Sequence, residues 1–372
     1  MLGLVAFFWT MLGVASAQDD AAFEAALRVL GERYPAEMKS GALYRAAIAG
    51  MASHVDALGQ TEGSDLLTER DMARLSARQR GERQGIGVQF FVLPGQGLVV
   101  NQVFAGSTAE KAGIRSGDLV VAVNDVPLTG QSGASILTML NAVQPPRVVL
   151  DVRRKGTPTR TYTVAWGTFW LKPVEPCVGT DVQCVVVQHL GVGSAAALEQ
   201  ALSRLDPSKG ALIDLRMCEE GVLDEMLAAA DLFLDPGEVI VQQTTPGAAE
   251  PVVSTARTPK AWGGRVVVLV DEGTGGLAEA FASALREQAG ARLVGTSTSG
   301  RGSTESYLPL GGGLTLRLAD VQLRSPAGRS WSAHGLAPDV VVEHPDVFLP
   351  VVGPQDLPDL QLEAAIRMVR GM

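Results

Sequence analysis

The stretch RVVVLVDEGTGGLAEAFASALREQ, residues 265–288, contains the pattern of a strand, a turn and a helix in succession. The aliphatic run 266–270 is typical of a strand buried on both faces of a sheet, and the segment from Leu277 onward has the spacing of a helix. The turn between them holds three glycines and one hydroxyl side chain, that of Thr274. Strand-to-helix junctions are common positions for a reactive side chain or an anion-binding backbone, so this turn is a candidate active site.

Strands and helices continue to alternate on both sides of this stretch, over residues 168–350. Apolar strands such as GALIDLR (210–216) and ARLVGT (291–296) are separated by amphipathic helices. Continuous Val, Leu and Ile runs with helical crossovers predict an α/β domain whose sheet is rich in parallel strands and covered on both faces. Ligands of such sheets bind beyond the carboxyl ends of the strands, which here are residues 214–221 and 271–276.

Residues 82–167 have the shorter, alternating strands of a separate β domain. Ser107 to Glu110 form a capping box that starts a short helix, and a second helix is predicted over 136–143. The order of these elements, and above all the segment AEKAGIRSGDLVVAVN (109–124), resembles a PDZ domain.

The resemblance to a PDZ domain implies a peptide-binding loop made of Gly85, Ile86, Gly87 and Val88. The backbone N–H groups of such a loop hold a C-terminal carboxylate, and the peptide adds as a strand beside the next segment. The alternative is a PDZ fold that serves only as a hinge or lid.

The composition excludes several classes of partner. The chain has a net charge of −9, and its basic residues are scattered, with no tract of four or more. Nucleic acid and acidic membrane surfaces are therefore not expected as partners. No cluster of His, Cys, Asp or Glu has the spacing of metal ligands, so we expect neither a metal nor a cofactor.

The N-terminal segment 1–17, MLGLVAFFWTMLGVASA, carries no charged side chain and ends in a small-x-small pattern. It predicts a secretory signal peptide that is cleaved after Ala17, and hence a secreted or periplasmic, soluble mature chain; a retained short anchor is the alternative. Export permits disulfides, so Cys177 and Cys184 either form a bridge or stay free as core residues. Cys218 is expected to be free and buried.

Several further segments, taken in order, resemble the carboxy-terminal processing, or tail-specific, serine proteases. They are AIAGMASHVDAL, the PDZ-like domain, GALIDLR, AADLFLDPGEVI, VVVLVDEGTGGLAEAFASAL, ARLVGTSTSGRGSTE, LRSPAGRSW, GLAPDVVVE and the terminal helix DLQLEAAIRMVRG. The resemblance covers almost the whole mature chain. It implies a multidomain protein of α/β and α+β class, with a protease core of the ClpP/crotonase type.

This organisation divides the chain into five segments. They are a signal peptide (1–17), an N-terminal helical segment (18–81), a PDZ domain (82–167), the protease core (168–350) and a C-terminal helix (351–372). Within the second segment, residues 20–31 and 41–58 have helical periodicity, and residues 64–80 predict a solvated helix.

The three catalytic positions of the family are all changed in this chain. The family has a serine nucleophile in the strand-to-helix turn, then a lysine base between two glycines, and then a glutamine that orients the lysine. An overlay without gaps places these on Gly276, Arg301 and Glu305. Gly276 has no hydroxyl, and an arginine remains protonated and cannot act as a base. We therefore expect a non-catalytic protein. Glu305 is expected to pair with Arg301, or else to be solvated and unpaired.

The region that binds the oxyanion in the family is also altered. The resemblance places it at Glu220, Gly221 and Leu277, with Glu219 and Glu220 standing where the family's glycine-rich backbone approaches substrate. Two carboxylates repel an oxyanion. They are expected to receive a cation, to face water, or to be favourable charges in the first turn of the following helix.

Three functions remain open from the sequence. The first is a non-catalytic scaffold or regulator that binds peptides or protein C-termini, with an active protease or envelope protein as a further partner. The second is an active serine endopeptidase with relocated residues, for which Thr274, the hydroxyls at 297–299 and His189 are candidates. The third is a carrier of a small hydrophobic ligand, in a cleft widened by the glycines at 273–276 and lined by Met217 and Leu277.

Overall fold

The computed structural model describes residues 17–33, 40–59, 63–93, 95–132, 135–136, 138–139, 146–177, 180–343 and 359–371. These residues divide into two compact units. Unit 1 comprises Met1–Thr68 and Tyr307–Leu318, and unit 2 comprises Glu69–Ser306 and Ala319–Met372. The predicted signal peptide lies outside the described residues except for Ala17. Within the described ranges, no helix has both the length and the apolar character needed to cross a bilayer.

The helices of the described residues are α1 Ala17–Arg33, α2 Ser40–Gly59, α3 Glu69–Gln79, α4 Thr108–Ala112, α5 Ser194–Leu202, α6 Leu223–Asp231, α7 Leu277–Glu287 and α8 Leu360–Gly371. The strands are β1 Asp65–Thr68, β2 Glu82–Gly85, β3 Val88–Leu93, β4 Gly97–Val103, β5 Leu119–Val123, β6 Val126–Pro127, β7 Arg147–Arg153, β8 Arg160–Ala165, β9 Gly167–Trp170, β10 Val174–Pro176, β11 Cys184–Val187, β12 Ala211–Asp214, β13 Val239–Thr244, β14 Val252–Thr255, β15 Val266–Val270, β16 Arg292–Gly295, β17 Ser303–Gly311, β18 Leu314–Arg324 and β19 Val340–Val341.

The core of unit 2 is a six-stranded sheet in the order β10-β11-β12-β15-β16-β19. All its pairings are parallel except that of β10, which is antiparallel at one edge. Alternate residues of one strand enter different hydrophobic clusters: Val268 packs with α5, α6 and α7, whereas Val267 packs with α8 on the other face. The predicted parallel-rich α/β core, covered on both faces, is confirmed.

The PDZ-like segment forms a separate antiparallel sheet in the order β3-β4-β5-β7-β8, with β6 beside β5. Strand β3 is at the edge of this sheet and pairs with β4 alone. The predicted capping box is present, because Ser107 Oγ accepts from the Glu110 N–H at 3.1 Å and Gly113 ends α4 with a φ of 87°. Of the helix predicted at 136–143, residues 136, 138 and 139 are helical and the rest lie outside the described residues.

Unit 1 contains the two predicted N-terminal helices, α1 and α2, and the strand β1. The prediction of one solvated helix over 64–80 is wrong at residues 65–68, which pair antiparallel with β18. Leu67 lies opposite Thr315 and is buried, so the chain gains sheet hydrogen bonds and burial there, and α3 begins only at Glu69.

The three cysteines have different states. Cys177 and Cys184 form a disulfide between the neighbouring strands β10 and β11, with their Cα atoms 5.3 Å apart. Cys218 is free and fully buried, and burial raises the pKa of its thiol to about 12. Its thiol is therefore protonated at neutral pH and is a packing group, not a nucleophile.

Helix α8 is tied to the end of strand β12 through one arginine. Arg216 forms charge-assisted hydrogen bonds with Asp214 and with Asp359, next to the start of α8, and buried Gln361 donates to the Val342 carbonyl. Burial by itself lowers the pKa of Arg216, but the attraction of Asp214 and then Asp359 outweighs it and raises that pKa. The same loop that begins at Arg216 continues into the site described next.

Candidate functional site

Gly276 is at the sharp turn between β15 and α7. Its backbone has a φ of 59° and a ψ of −116°, and this conformation is strained for any residue with a side chain. A Cβ built there meets no close neighbour, because the nearest atoms, Arg301 Cδ and the Glu219 carbonyl oxygen, are both 3.8 Å away. The turn thus has the strained backbone of a nucleophile elbow and room for a side chain, but no hydroxyl.

Glu279, in the first turn of α7, connects this elbow to the segment that carries Arg301. Its side chain accepts from the Gly276 N–H at 2.9 Å, from the Gly300 N–H at 2.8 Å and from the Thr298 hydroxyl. The first of these bonds is the half of a capping box that runs from the N3 side chain to the N-cap backbone. Glu279 is fully buried, and burial raises the pKa of its carboxyl although the three hydrogen bonds act in the opposite direction.

Arg301 lies beside Gly276, as the family overlay requires, but its carboxylate partner is Glu219. Among the described residues, no ion pair joins Arg301 to Glu305, so the predicted pairing is wrong. The i,i+4 spacing brings side chains together on a helix, whereas Glu305 is in strand β17, where four residues span roughly 13 Å.

Glu219 and Glu220 both receive cations from elsewhere in unit 2. The Glu220 carboxylate forms ion pairs with Arg78 on α3 and with Arg83 on β2, the latter at 2.5 Å. The expectation that these two residues belong to the first turn of a helix is wrong, because α6 begins at Leu223 and its first-turn acids are Asp224 and Glu225. Of the three alternatives left open, the structure shows pairing with cations, and these cations are arginines of the chain itself.

The segment 220–222 is extended because it pairs with Leu190. The Leu190 N–H donates to the Glu220 carbonyl and the Val222 N–H donates to the Leu190 carbonyl, both at 2.8 Å. A Cβ at Gly221 would be 3.2 Å from the side chains of Leu190 and Leu277. Gly221 and Leu277 are therefore adjacent, as the oxyanion overlay predicts, whereas the Glu220 side chain is engaged by the two arginines.

The hydroxyl groups near Gly276 are occupied by structural hydrogen bonds. Thr274 is fully buried, and its Oγ1 donates to the Leu215 carbonyl at 2.9 Å and accepts from the Asp271 N–H at 3.0 Å. Ser299 Oγ accepts from the Arg301 N–H at 3.3 Å and is 3.5 Å from the Glu279 carboxylate. Neither hydroxyl has a hydrogen bond to a histidine or a lysine, and the nearby carboxylates, Asp271 beside Thr274 and Glu279 beside Ser299, also accept from backbone N–H groups of the turn.

His189 is a buried structural histidine. Its Nδ1 accepts from the Gly191 N–H at 3.0 Å, and its Nε2 faces the Leu171 carbonyl at 3.4 Å, which places the proton on Nε2. Burial lowers the pKa of the imidazole. With both ring nitrogens engaged by backbone groups, His189 is not paired with a hydroxyl nucleophile.

The glycines of the turn do not widen a cleft, except at position 276. A Cβ at Gly273 would be 2.4 Å from the Met217 sulfur, and one at Gly275 would be 2.7 Å from Ser299 Oγ. The expectation that glycines 273–276 enlarge a ligand cavity is therefore wrong at these two positions. Met217 is 48% exposed and has a φ of 58°, held by a hydrogen bond from its N–H to Asp271 Oδ1 at 2.9 Å.

The glycine loop of the PDZ-like domain is closely packed. Gly87 has a φ of 78°, and a Cβ there would be 2.2 Å from the Ser107 Cβ. The buried Ile86 presents its carbonyl to the Ala109 N–H at 2.9 Å, which fixes the loop against α4. Gly85 and Val88 end β2 and begin β3, so the loop leads directly into the edge strand.

Sequence reasoning did not identify Arg78, Arg83 or Asp271 as parts of this region. The two arginines are far from Glu220 along the chain, at sequence separations of 142 and 137, so no local pattern joins them. Asp271 had a local signal, because an aspartate two residues before a glycine is typical of a hydrogen-bonded turn. In the parts of the chain that the structure describes, no group of three or more potential ligands is arranged for a metal ion.

We predict that Glu279→Gln destabilises the protein by about 1–3 kcal/mol, since the new amide group faces a buried N–H donor and leaves it unsatisfied. Chemical denaturation measures the change in unfolding free energy. Glu272→Gln is the control, because Glu272 is in the same turn but exposed, and it should change stability by less than about 0.5 kcal/mol. Equal effects of the two variants would contradict the role given to Glu279.

We predict that His189 makes folding stability fall at acid pH. Because its folded pKa is below the ordinary value of about 6.5, stability is full above that pH and is lost on acidification towards the folded pKa, by at most ~1.4 kcal/mol per pH unit. His189→Asn keeps an acceptor for the Gly191 N–H and should remove this loss between pH 7 and 5. Exposed His54→Asn is the control. Identical pH profiles for His189→Asn and the wild type would refute the assignment.

The comparisons with known proteins agree with this geometry. Residues 181–342 match the family model described as Peptidase family S41, and residues 99–154 match that of the PDZ domain. The chain is 26% identical over 342 residues to the "Probable CtpA-like serine protease" of Staphylococcus saprophyticus, a match that covers 91% of this chain and 68% of the relative. It is 25% identical over 321 residues to the protein of the same description from Staphylococcus aureus, covering 86% of this chain and 64% of the relative.

The chain therefore spans about two thirds of the length of these relatives. Among solved structures, the photosystem II D1 C-terminal processing protease has the same fold, with a TM-score of 0.55, 22% sequence identity and coverage of 93% of this chain and 90% of that chain. Together with the PDZ-like sheet, these matches support a protein of the carboxy-terminal processing, or tail-specific, protease type. The chain carries a domain that matches peptidase family S41, over residues 181–342, and a PDZ domain.

Proposed function

We propose that this protein is a non-catalytic member of its family, a pseudoprotease that binds peptides or protein C-termini and acts as a scaffold or regulator. The observation that carries the proposal is Gly276. The backbone at this position has the strained geometry of a nucleophile elbow, and there is space for a side chain, yet no hydroxyl is there to attack a peptide bond.

The neighbourhood of Gly276 supports the loss of chemistry. Arg301 occupies the place of the base, remains protonated and is held by Glu219. Thr274 and Ser299 hydrogen-bond to carbonyl, carboxylate or backbone N–H groups, and His189 is buried away from them with both ring nitrogens engaged. These contacts argue against the alternative of an active endopeptidase with relocated residues.

The PDZ-like domain supports peptide binding. Strand β3 has an open edge in the sheet that the structure describes, so a peptide strand can add to it by backbone hydrogen bonds. The loop Gly85–Val88 precedes this strand, and its tight packing against Ser107 and α4 holds its backbone in one conformation. A preorganised loop costs less entropy when a carboxylate binds.

The location that fits these features is outside the cytoplasm, in the periplasm or secreted. The charge-free N-terminal segment with its small-x-small end is the basis for export, and the disulfide Cys177–Cys184 is of the kind that persists in an oxidising compartment. Partners proposed on this basis are peptides, C-termini of envelope proteins or an active protease.

We predict that the purified protein cleaves neither an unfolded protein nor a substrate with an unstructured C-terminal tail, as followed by mass spectrometry. Gly276→Ser should also be inactive, because a serine hydroxyl beside a protonated Arg301 has no base. Cleavage by the wild type that disappears in Thr274→Val or Ser299→Ala would overturn the proposal in favour of relocated catalytic residues.

We predict that the glycine loop binds peptides through their terminal carboxylate. A library of peptides with free C-termini supplies the ligands, and fluorescence anisotropy measures their affinities. The C-terminally amidated form of each ligand should bind at least about tenfold more weakly. Gly87→Ala should weaken binding by a similar factor, since its Cβ would collide with Ser107. Gly106→Ala is the matched control, because Gly106 also has a positive φ but its Cβ would meet no atom within 4 Å. Equal binding of the free and amidated peptides would contradict this mode.

A further inference from the structure

In the part of the chain that the structure describes, the tryptophans fall into two groups. Trp262 and Trp331 are buried, whereas Trp166 and Trp170 are 37% and 55% exposed. An indole is usually well covered in a soluble protein, because its apolar area is large. Trp166 directly precedes strand β9 and Trp170 ends it, so the exposed indoles are concentrated on one short element.

Strand β9 pairs with β2 in a two-stranded ribbon that has a packed inner face and an exposed outer face. On the inner face, Phe169 is buried and stacks on Phe104 of the PDZ-like domain, with the ring centroids 5.4 Å apart. Because successive side chains of a strand alternate and directly opposite residues share a face, the other face carries the residues on either side of Phe169 and their partners. We call them the outer strip: Glu82, Gln84, Thr168 and Trp170.

The carboxylate of Glu82 lies on this strip directly opposite Trp170, and among the described residues no cation pairs with it. It accepts a hydrogen bond from Gln84 Nε2 at 3.4 Å. The basic side chains that are nearest to it along the two strands are held by other groups. These groups are Ser76 for Arg80, Glu220 for Arg83 and Glu175 for Lys172.

Gln84 supplies the strip with a polar group of fixed orientation. Its Nε2 donates to Thr168 Oγ1 at 2.8 Å as well as to the Glu82 carboxylate. Since a carboxylate only accepts hydrogen bonds, the amide nitrogen must be the atom on that side, and the amide oxygen is on the other. Gln84 is exposed, so its Oε1 is an acceptor for an N–H group that comes from outside the chain.

An exposed indole beside an unpaired carboxylate is suited to an organic cation. The ring face attracts the cation, and the carboxylate accepts charge-assisted hydrogen bonds from it. A guanidinium fits best, because it is planar and can stack and donate at the same time. An acidic lipid surface is disfavoured by Glu82 and by the net charge of −9, and a neutral saccharide would leave the carboxylate without a cation.

We propose that the outer strip binds an extended, arginine-bearing segment of a partner protein. The guanidinium stacks on Trp170 and donates to Glu82, and a backbone N–H near the arginine donates to Gln84 Oε1. The strip uses no terminal carboxylate, so it is a second contact surface, separate from the glycine loop for which we propose the binding of C-termini. It selects internal, basic segments of a partner.

The test is fluorescence anisotropy with a fluorescein-labelled peptide of alternating arginine and serine. The peptide is amidated at its C-terminus, so a failure of the glycine loop to bind carboxylates does not affect the result. The wild type is expected to bind it. Trp170→Ala should weaken binding about fivefold and Glu82→Gln about threefold, whereas Trp170→Phe, which keeps an aromatic face, should lose less than Trp170→Ala.

Glu250→Gln is the matched control, because Glu250 is an exposed carboxylate away from the strip and the variant loses the same charge. Equal effects of Glu82→Gln and Glu250→Gln would overturn the proposal, since the peptide would then respond only to net charge. Unchanged affinity in Trp170→Ala, or a wild type that does not bind the peptide, would overturn it too. Binding of chitotriose or of phosphatidylcholine vesicles that is lost in Trp170→Ala but unchanged in Glu82→Gln would assign the face to a saccharide or a lipid surface instead.

Discussion

The buried carboxylate of Glu279 is the contact on which the geometry of the site depends. One of its oxygens accepts from the Gly276 N–H and the other from the Gly300 N–H, so a single side chain sets the distance between the elbow and the segment that carries Arg301. The cost of burying this group is visible in its raised pKa. Its hydrogen bonds to backbone donors offset that cost and make the connection rigid.

Because Glu279 holds the framework, the residues at 276 and 301 contribute little to holding the turn together. A serine at position 276 would carry a backbone strain on the order of 1–3 kcal/mol, which glycine does not have. Arg301 and Glu219 form a partly exposed ion pair, and such pairs contribute about 1 kcal/mol or less. Gly276 therefore adopts the elbow conformation without strain, and the pair Arg301–Glu219 adds little to stability.

The sequence allowed the elements around the turn to be predicted, because their signals are local. The strand 266–270 and the helix from Leu277 both follow from the spacing of apolar residues, and both are present. The ion-pair partners of the charged residues could not be predicted from local signals. The pair Arg301–Glu305 was expected from a spacing of four residues, which brings side chains together on a helix, but Glu305 is in strand β17. The partners of Glu220 are distant along the chain and become its neighbours only through the tertiary fold.

Local sequence signals also did not indicate that residues 220–222 are extended, since two glutamates before an apolar run are typical of the start of a helix. The neighbouring residue Leu190 decides the outcome, because its N–H donates to the Glu220 carbonyl and its carbonyl accepts from the Val222 N–H. The first turn of α6 is thereby delayed to Leu223. This displacement frees the Glu219 and Glu220 side chains to turn towards arginines.

The glycines of the protein are required for different physical reasons, which are contacts with neighbours at some positions and backbone conformation at Gly276. A Cβ at Gly300 or Gly302 would be within 3.0 Å of the segment 332–335, and one at Gly87 would overlap Ser107, so these positions are glycine for steric reasons. Gly276 is different, because a Cβ there would have only ordinary contacts. No neighbour excludes a side chain at this position. The demand for glycine at 276 therefore comes from the backbone conformation alone, which would cost a residue with a side chain on the order of 1–3 kcal/mol.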